Sequence, residues 1–594
     1  MSWMLGWLSD NLPVDAAQVL SSGHPEALFK ASNSHLCILA GGMARTLCHG
    51  SNPPQARPSG AGWLVCGLGI RKIDDHCSFL SESDWQSLLS SEYVSDFRAI
   101  DGHFIACRWA EEKVELFSDQ LGLRTLYVAQ ADEGVFFSTR IDWLSELVKG
   151  ASVDFRQLGP RWMSFNQFSY QSGLHGVQRL GPGGYGILTA RSVQLRSEPW
   201  LPANTNDANE STFLSHLQAL TNPELQADER ISLGLSGGLD SRTLLAVLLN
   251  RKAAFDAHIF GGQSDPDVRT AITIARDEQL RTVLFDDPVP DTDACVRLLQ
   301  EYAAQAHLCE PVTSIVRLRY YDRIRKQNKL MMDGGFGELL RRQYLNRLLY
   351  RGRAALKTLD PGAIAPFLSV DRGRIFTDET WKMMEEGVAL QLEGVLEDMP
   401  PMEELGEGNF LDILAIRTRV PNWGSPEQAR LDSTVLNYMP FVQPSLLNLA
   451  FSLPVSRRAN GRIFRRLINS VHPSLSRYPL SKAGTTYPFK LNTVEAWAWT
   501  KVKSRLGRPY QDTLRHRVLE RVKPFVLDTL DSSDVRTYGA YDREYVSSMV
   551  REYYSGNLQR ANTVDWWLTF ELWRTSLRRR WKGAENSGPN SGVA

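Results

Sequence analysis

The sequence predicts an α/β protein in which a β-rich α+β domain precedes a doubly wound parallel sheet with a mostly helical C-terminal part. The first observation is a series of short β-type runs, separated by turn signals, in the first 200 residues. These runs lie at 62–66, 102–107, 113–117 and 135–139. Strands at such regular spacing are typical of packed sheets.

The second observation is a change of pattern in the following part of the chain, where apolar strands alternate with longer helical segments. Strands are predicted at 231–235, 257–260, 282–285 and 329–332, and helices at 241–252 and 267–278. This order predicts a parallel sheet covered by helices. The third observation is that the pattern beyond residue 339 is mostly helical.

The domain boundaries follow from local composition. A polar, turn-rich segment at 199–209 is the predicted linker. We therefore expect a first domain over 1–200 and a second domain over 201–582. The Gly-, Ser- and Asn-rich end of the chain, 583–594, is predicted to be a disordered tail.

The composition excludes several classes of protein. The chain has 594 residues, of which 43% are hydrophobic, so most of it is expected to fold. Its 67 basic and 67 acidic residues give no net charge, which argues against a general nucleic-acid binder. No apolar run approaches the roughly 18–20 residues of a membrane span, and the N-terminus lacks a basic signal-peptide region. We expect a soluble cytoplasmic protein without nucleic-acid or membrane partners.

The seven cysteines are scattered along the chain without C-x-x-C spacing. A disulfide framework or a zinc site needs clustered cysteines, so buried, reduced thiols are expected. Neither metal nor redox chemistry is therefore expected from them.

The segment ISLGLSGGLDS at 231–241 carries the strongest chemical signal. An apolar strand enters a Ser-Gly-Gly turn, and a predicted helix follows at once. Adjacent glycines let backbone N–H groups approach an anion, and a helix N-terminus favours the same charge. Asp240 would repel a phosphate, so its expected role is to hold Mg²⁺ against the phosphate oxygens. The segment is not a Walker A loop, because the spacing and the lysine of that motif are missing.

This segment resembles the S-G-G-x-D-S signature of the PP-loop ATP pyrophosphatases, which cleave ATP between its α and β phosphates. Further segments resemble the asparagine synthetase-like branch of that family and occur in the family's order. In the second domain these are HIFGGQSDPD at 258–267, MDGGFGE at 332–338 and YMPFV at 438–442. In the first domain they are DGHF at 101–104, DQLGLRTLY at 119–127 and RLGPGGY at 179–185.

The resemblance implies a glutaminase-like (Ntn-type) first domain and a PP-loop synthetase second domain. An active glutaminase of this type has Cys directly after the initiator Met, with the thiolate as nucleophile and the freed α-amine as base. Here that position holds Ser2. The R-G-P-D and N-G-E segments that hold glutamine in the family are also not recognisable. We therefore expect a first domain without amidase activity.

Without ammonia from glutamine, the amine comes most simply from the substrate itself. Two branches of the family are of this kind: β-lactam-forming synthetases and lasso peptide cyclases. The latter join a side-chain carboxyl of a precursor peptide to the peptide's N-terminal amine as a macrolactam. The β-lactam branch has a Tyr where this chain has Gly335. An α-amine, with an ordinary pKa of about 7.7–8.0, has less need of an enzymic base.

The sequence therefore most resembles the lasso peptide cyclases. This resemblance implies ATP and Mg²⁺ as cofactors, a precursor peptide as substrate, and a partner protein that binds and cleaves the leader peptide. The alternatives are a β-lactam-type or asparagine synthetase that uses another amine, and a non-catalytic ATP- or peptide-binding protein.

The resemblance also assigns roles to single residues. Asp240 and Glu338 are the expected Mg²⁺ ligands and take part in catalysis. Lys482 is the expected catalytic cation, because a mobile ammonium would stabilise the negative charge that develops during acyl transfer. The residues expected at the pyrophosphate end of ATP are Ser236, Gly237, Gly238, Asp240 and Ser241. The residues expected at adenine and ribose, at strand ends, are Leu235, Gly261 and Gly334.

Four weaker features have competing interpretations. Asp267 lies near the substrate or metal, or caps a helix. Arg477 and Lys490, close to Lys482, are expected on the solvated surface. The aromatic-rich segment 564–573 has helical spacing, which favours core packing over a peptide-docking surface.

Overall fold

The computed structural model describes residues 2–585, apart from 23, 52–60, 92–96, 98–99, 149–151, 204–207, 432–433, 483 and 507–512. The described strands, β1–β20 in chain order, are Trp3–Leu8, Ala27–Ser32, Leu36–Gly41, Leu47–Ser51, Gly62–Ile73, His76–Phe79, Asp101–Ala110, Lys113–Ser118, Leu126–Ala131, Gly134–Ser138, Val177–Leu180, Tyr185–Thr189, Ser192–Arg196, Arg230–Gly234, Phe255–Phe260, Thr282–Phe285, Lys329–Met332, Asn437–Tyr438, Leu480–Lys482 and Thr485–Tyr487.

The described α-helices, α1–α25 in chain order, are Ala16–Ser21, Glu82–Ser90, Ile141–Leu147, Phe155–Met163, Glu210–Leu220, Leu239–Asn250, Pro266–Asp277, Thr292–Ala306, Leu318–Arg325, Gly337–Leu340, Asn346–Arg351, Arg353–Thr358, Pro361–Leu368, Asp378–Glu397, Met402–Arg419, Ser425–Leu431, Pro444–Ser452, Val455–Arg458, Arg462–Val471, Thr493–Leu506, Thr513–Arg521, Lys523–Leu530, Ser533–Thr537, Arg543–Tyr554 and Ala561–Glu585.

Two antiparallel sheets form the N-terminal part. Successive side chains of a strand point to opposite faces of its sheet, so the apolar residues on one face of each sheet can pack against the other sheet. One sheet has the order β11-β9-β10-β1-β3-β2, and the other has the order β13-β12-β8-β7-β5-β4 with β6 beside β5. Met4 and Leu8 of the first sheet share a core with Leu64 and Cys66 of the second. On the other face of the second sheet, Trp63 packs against Trp85 and Leu89 of α2. The N-terminal part is thus two packed sheets with helices outside them.

A five-stranded parallel sheet forms the centre of the second part, in the order β16-β15-β14-β17-β18. All four of its strand pairs are parallel. The chain adds β15 and β16 on one side of β14, then crosses to add β17 and β18 on the other. Ligands bind to such sheets beyond the carboxyl ends of the strands where the order reverses. In this protein that place lies between the ends of β14 and β17.

The structure confirms the predicted α/β class, with antiparallel sheets first and a parallel sheet after them. Each predicted strand overlaps an observed one, and the predicted helices correspond to α6 and α7. Helix α6 begins at Leu239, earlier than predicted, because Gly238 is its extended N-cap residue. The segment 564–573 lies in α25, where Trp567 and Phe570 are fully buried, so the core-packing interpretation is confirmed. All seven cysteines are free thiols.

The two parts of the chain share a continuous core. Leu68 and Leu121 of the first part pack in the same cluster as Leu233 of the parallel sheet. Trp200, inside the predicted linker, is buried and lies 5.3 Å from Phe451 between ring centroids. The start of the predicted linker segment therefore packs against the second part of the chain.

Two further observations concern the chain as a whole. None of the helices in the described residues combines the length and apolar character that a membrane crossing requires. Helix α25 continues to Glu585, into the segment predicted as a tail, and the remainder of that segment lies outside the described residues.

Candidate functional site

The loop between β14 and α6, predicted from the sequence as a strand-to-helix turn, lies at the crossover point of the parallel sheet. The Ser236 N–H donates to the Ser241 hydroxyl at 3.1 Å, and the two hydroxyls are 2.9 Å apart. The Gly238 N–H donates to the Ser236 hydroxyl at 3.1 Å. The Gly237 N–H donates to the Asp267 carboxylate at 3.0 Å. These bonds hold the loop in a defined shape around the first turn of α6.

Asp267 therefore contacts the loop and does not cap its own helix. Asp265 is the N-cap residue of α7, and its carboxylate accepts from the Asp267 N–H at 2.8 Å. A Cβ atom at Gly237 would lie 2.6 Å from the Ser481 Oγ and 3.0 Å from the Asp267 Oδ1. Glycine fits at position 237 because the side chains of Ser481 and Asp267 approach so closely that a larger residue would displace them.

The Asp240 carboxylate points toward the loop that follows β17. A Cβ atom at Gly337 would lie 2.4 Å from its Oδ1, and one at Gly334 would lie 3.0 Å from the Ser241 nitrogen. Arg341, in the loop beyond α10, pairs with Asp240 in bidentate geometry, with Nε–Oδ1 at 2.7 Å and Nη2–Oδ2 at 2.8 Å. Desolvation by burial raises the pKa of Asp240 and Arg341 opposes that rise.

Glu338 lies on the same side of the site as Asp240, and each interacts electrostatically with the other. The Arg419 Nε donates to its Oε1 at 3.1 Å. The Arg419 guanidinium in turn lies 4.4 Å from the ring centroid of Trp423 and 4.7 Å from that of Tyr344. Aromatic rings on two sides fix the guanidinium in place, which sets the position of Glu338.

Asp333 is the third carboxylate of this region and was not predicted from the sequence. It follows β17 directly, and its N–H donates to the Tyr438 carbonyl at 3.0 Å. Burial raises its pKa, and the nearby Glu338 raises it further. Three acidic side chains thus lie where the strand order reverses, and two of them, Asp240 and Glu338, each pair with an arginine.

Lys482 lies at the end of β19, in the short hairpin formed by β19 and β20. The preceding residue anchors this hairpin to the loop, because the Ser481 N–H donates to the Gly237 carbonyl at 3.0 Å. The Lys482 side chain is exposed. Its pKa is lowered, first by partial desolvation and then by the charge of Arg341. An ammonium next to the loop is thus available to a negatively charged group.

Arg242 connects the loop with the hairpin segment. Its guanidinium is fully buried and donates to the carbonyls of Tyr478 and Pro479 at 2.8 Å and of Gly237 at 3.1 Å. A buried guanidinium that satisfies several carbonyls fixes their relative positions. Arg242 therefore sets the distance between Lys482 and the loop.

The residues predicted for adenine and ribose lie at neighbouring strand ends. The Leu235 N–H donates to the His258 carbonyl at 2.9 Å, and the Gly261 N–H donates to the Phe285 carbonyl at 3.1 Å. Gly261 has a φ of 116°, which only glycine adopts readily. Gly334 packs against the start of α6. The predicted residues thus line one edge of the parallel sheet.

The carboxylates of Asp240 and Glu338 are suited to Mg²⁺ that is bound together with a phosphate. Mg²⁺ in phosphate-binding sites takes one or two carboxylates and completes its shell with phosphate and water oxygens. Asp240 and Glu338 supply two carboxylates from the first turns of α6 and α10, and the Asp240 Oδ1 is buried without a hydrogen bond of good geometry. No group of three or more His, Cys, Asp or Glu among the described residues is arranged to hold a metal by itself. The site therefore fits a metal ion that arrives with a phosphate.

Ser2, the residue in the nucleophile position of the glutaminase family, is completely buried. Its carbonyl accepts from the Arg124 guanidinium at 3.3 Å. Its side chain lies beside the thiol of Cys66, whose pKa burial raises to about 12. Solvent has no access to the Ser2 hydroxyl in this structure.

Sequence analysis missed the two arginines, although they determine the electrostatics of the site. Arg341 lies 101 positions from its partner Asp240, and Arg419 lies 81 positions from its partner Glu338. A partial signal was present for Arg341, because it follows Glu338 closely in the segment after the glycine cluster. Arg419 carries no such signal.

No protein-family model matches the chain, and no curated protein matches it significantly. One similar solved structure is the glutamine phosphoribosylpyrophosphate amidotransferase from B. subtilis complexed with ADP and GMP. It shares 10% identity over 56% of this chain and 81% of that chain, with a TM-score of 0.22. Another is the allosteric regulatory enzyme of purine biosynthesis, with 12% identity, coverage of 50% and 71%, and a TM-score of 0.20. At these TM-scores the likeness carries no argument about the reaction.

Proposed function

We propose that the protein is an ATP-dependent, AMP-forming amide ligase that closes a macrolactam in a precursor peptide. The observation that carries the proposal is the convergence of the Ser236–Ser241 loop, the carboxylates of Asp240 and Glu338, and the Lys482 hairpin at the crossover point of a parallel sheet. A mere nucleotide-binding module would not need a cation anchored beside the loop. The assignment to the lasso peptide cyclase branch rests on the sequence resemblance.

In the proposed reaction, a side-chain carboxylate of the peptide attacks the α-phosphorus of ATP. The bond from that phosphorus to the bridging oxygen breaks, and pyrophosphate leaves. The peptide's N-terminal amine then attacks the acyl carbon, the bond from carbon to the AMP oxygen breaks, and the nitrogen loses one proton. Lys482 would stabilise the negative charge in both steps. Mg²⁺ held by Asp240 and Glu338 would neutralise the pyrophosphate.

Two features support a substrate-borne amine. The buried Ser2 gives glutamine no open nucleophile in the N-terminal part. At Gly335, a Cβ atom would already lie 3.0 Å from the Met439 sulfur, so a tyrosine there would require that neighbour to move. The β-lactam branch, which has a tyrosine at this position, is therefore the less suitable assignment.

The proposal includes partners that the chain itself does not contain. A linear precursor peptide is the substrate, and a separate protein that binds and removes its leader would supply it. We place the reaction in the cytoplasm, where ATP is available.

The decisive experiment measures AMP and pyrophosphate release from Mg-ATP with two kinds of acceptor. One is a linear peptide with a free N-terminal Gly and an internal Asp or Glu, and the other is aspartate with glutamine or ammonia. We expect release only with the peptide, together with the loss of one water from the peptide's mass. Asp240→Ala should abolish both signals because it removes the proposed metal ligand.

The outcomes separate the alternatives. Release only with aspartate and a nitrogen source would replace the cyclase by an asparagine synthetase. If no acceptor gives AMP or pyrophosphate release while ATP still binds, a non-catalytic binding protein would be favoured.

A further inference from the structure

A groove of about 520 Å³ lies beside the β19–β20 hairpin that carries Lys482. This volume is within the range of roughly 300–1,000 Å³ that ligand sites occupy. Its apolar surface comes from Tyr487, Phe489 and Trp499, together with Pro479 and Pro488. Trp499 lies on α20 and is 45% exposed, which is unusual for so large an apolar side chain.

The polar residues that line the groove are basic or neutral. Arg477, Lys490 and Lys503 contribute three cations, and none of the lining residues that the structure describes carries a carboxylate. Lys503 also donates to the Thr486 carbonyl at 3.1 Å, which fixes its position at the edge of the groove. Arg477 is partly neutralised, since Asp277 lies 3.7 Å away outside the groove. The combination of aromatic walls and cations is complementary to an anionic ligand with apolar side chains.

The groove is built onto the same elements as the proposed catalytic site. Tyr487 is the last residue of β20, which pairs with the strand that carries Lys482. Burial raises the pKa of Tyr487, the charge of Arg341 opposes that rise, and the charge of Asp240 adds to it. The ring of Phe489 packs against the guanidinium of Arg242, which lies 5.8 Å from the centroid of that ring. That guanidinium also holds the Gly237 carbonyl. A ligand in the groove therefore lies next to the loop and in a fixed relation to it.

We propose that this groove binds an acidic segment of the peptide substrate that contains aromatic residues, and so places the reacting carboxyl beside Lys482. The inference rests on the proposed function for the identity of the substrate, but the groove and its charges are features of the structure itself. Basic residues would attract the acidic segment, while the aromatic wall would bury its apolar side chains.

Helix α20 offers matched control residues. Trp499 and Lys503 are four residues apart and share one side of the helix, where both line the groove. Trp497 and Lys501 have the same spacing on another side, with the Lys501 Nζ 4.7 Å from the ring centroid of Trp497. Trp497 is 52% exposed, similar to Trp499, and does not line the groove. Each groove variant therefore has a control of the same residue type.

The test is fluorescence anisotropy with the full chain in the absence of ATP. The probe is a fluorescein-labelled linear peptide that carries Asp, Glu, Tyr and Phe, compared with the same peptide in which Asn and Gln replace the acids. We expect Trp499→Ala to weaken binding about tenfold. Lys503→Glu should weaken it about three- to tenfold, with the largest effect at low salt. Trp497→Ala and Lys501→Glu should change it less than about twofold.

Several results would overturn the inference. They are equal effects of the groove and control variants, equally tight binding of the amide peptide, displacement of the peptide by ATP alone, or no binding of the acidic peptide at all. A separate assay, AMP release, tests the proposed function. Asp240→Ala should abolish AMP release without changing peptide affinity. If groove variants leave peptide-dependent AMP release unchanged, the function stands and the groove assignment fails.

Discussion

At the residue scale, the Asp240 carboxylate is confined by a glycine on one side and an arginine on the other. The Gly337 Cα leaves no space for a side chain, and Arg341 holds both carboxylate oxygens. Gly337→Ala would push a methyl group into Asp240 Oδ1. We expect a loss of about 1–3 kcal/mol in the free energy of unfolding. Peptide-dependent AMP release should fall at least about tenfold, because small misplacements of catalytic groups are costly.

Urea unfolding and AMP release measure the two effects of this substitution. Gly394→Ala in α14 is the control, since a Cβ atom there would meet no atom within 4 Å. That variant should be as stable as the parent or more stable by up to about 1 kcal/mol, with unchanged activity. Similar results for both glycines would show that Asp240 does not depend on the space at Gly337.

At the element scale, Arg242 helps to hold the β19–β20 hairpin beside the loop, together with the buried Leu480 and the Ser481 N–H. Arg242→Met keeps most of the side-chain volume but leaves the carbonyls of Tyr478 and Pro479 without this donor, while the Gly237 carbonyl keeps only the Ser481 N–H. We expect a loss of about 2–4 kcal/mol in the free energy of unfolding. Backbone amides of 480–487 should also exchange faster with deuterium, because the hairpin loses its anchor.

Arg374→Met provides the control for removal of an arginine. Arg374 is exposed and pairs only with the surface carboxylate of Asp378 among the described ion pairs. Its loss should cost less than about 1 kcal/mol and leave the exchange of 480–487 unchanged. Unaltered exchange in the Arg242 variant would mean that other contacts position Lys482.

The elements themselves were largely predictable, whereas their contacts were not. Strands such as β5 and β14 follow from apolar runs bounded by turn residues, which are local properties of the chain. The loop at 235–241 follows from its glycines and serines in the same way. The pairing of Arg419 with Glu338 depends on how α15 packs beside α10, which no local pattern encodes.

At the scale of the whole molecule, buried polar contacts join the two parts. The Gly102 N–H donates to the Gln443 side chain at 2.8 Å, and the Ser445 N–H donates to the Asp101 carboxylate at 2.9 Å. Burial raises the pKa of Asp101 to about 6, although hydrogen bonds from Ser445 oppose the rise. The folded protein therefore binds a proton at Asp101 more tightly than the unfolded chain does.

This shift predicts a pH dependence of stability. The contribution of protonated Asp101 is fully present below the ordinary pKa of 3.8 and is lost as the pH rises through about 6. Asp101→Asn mimics the protonated acid at every pH. Its free energy of unfolding should therefore fall less than that of the parent between about pH 4 and 7, by up to about 3 kcal/mol.

Urea unfolding across that pH range tests the prediction. Asp378→Asn removes one exposed carboxylate and controls for the change in net charge. An Asp101 variant that loses stability as steeply as the parent would contradict the assignment of a raised pKa to this interface.

The sequence by itself determined the order of the main strands and helices, the α/β class and the presence of a Gly-rich loop between β14 and α6 with Asp240 at its end. These features depend on hydrophobic periodicity and on the backbone freedom of neighbouring glycines, which act over a few residues. Only the tertiary structure decided that Arg341 and Arg419 face the acidic residues, that Ser481 ties Lys482 to the loop, and that the two parts share one core. Contacts between residues that are far apart in the chain arise from the packing of whole elements, so a local pattern does not specify them.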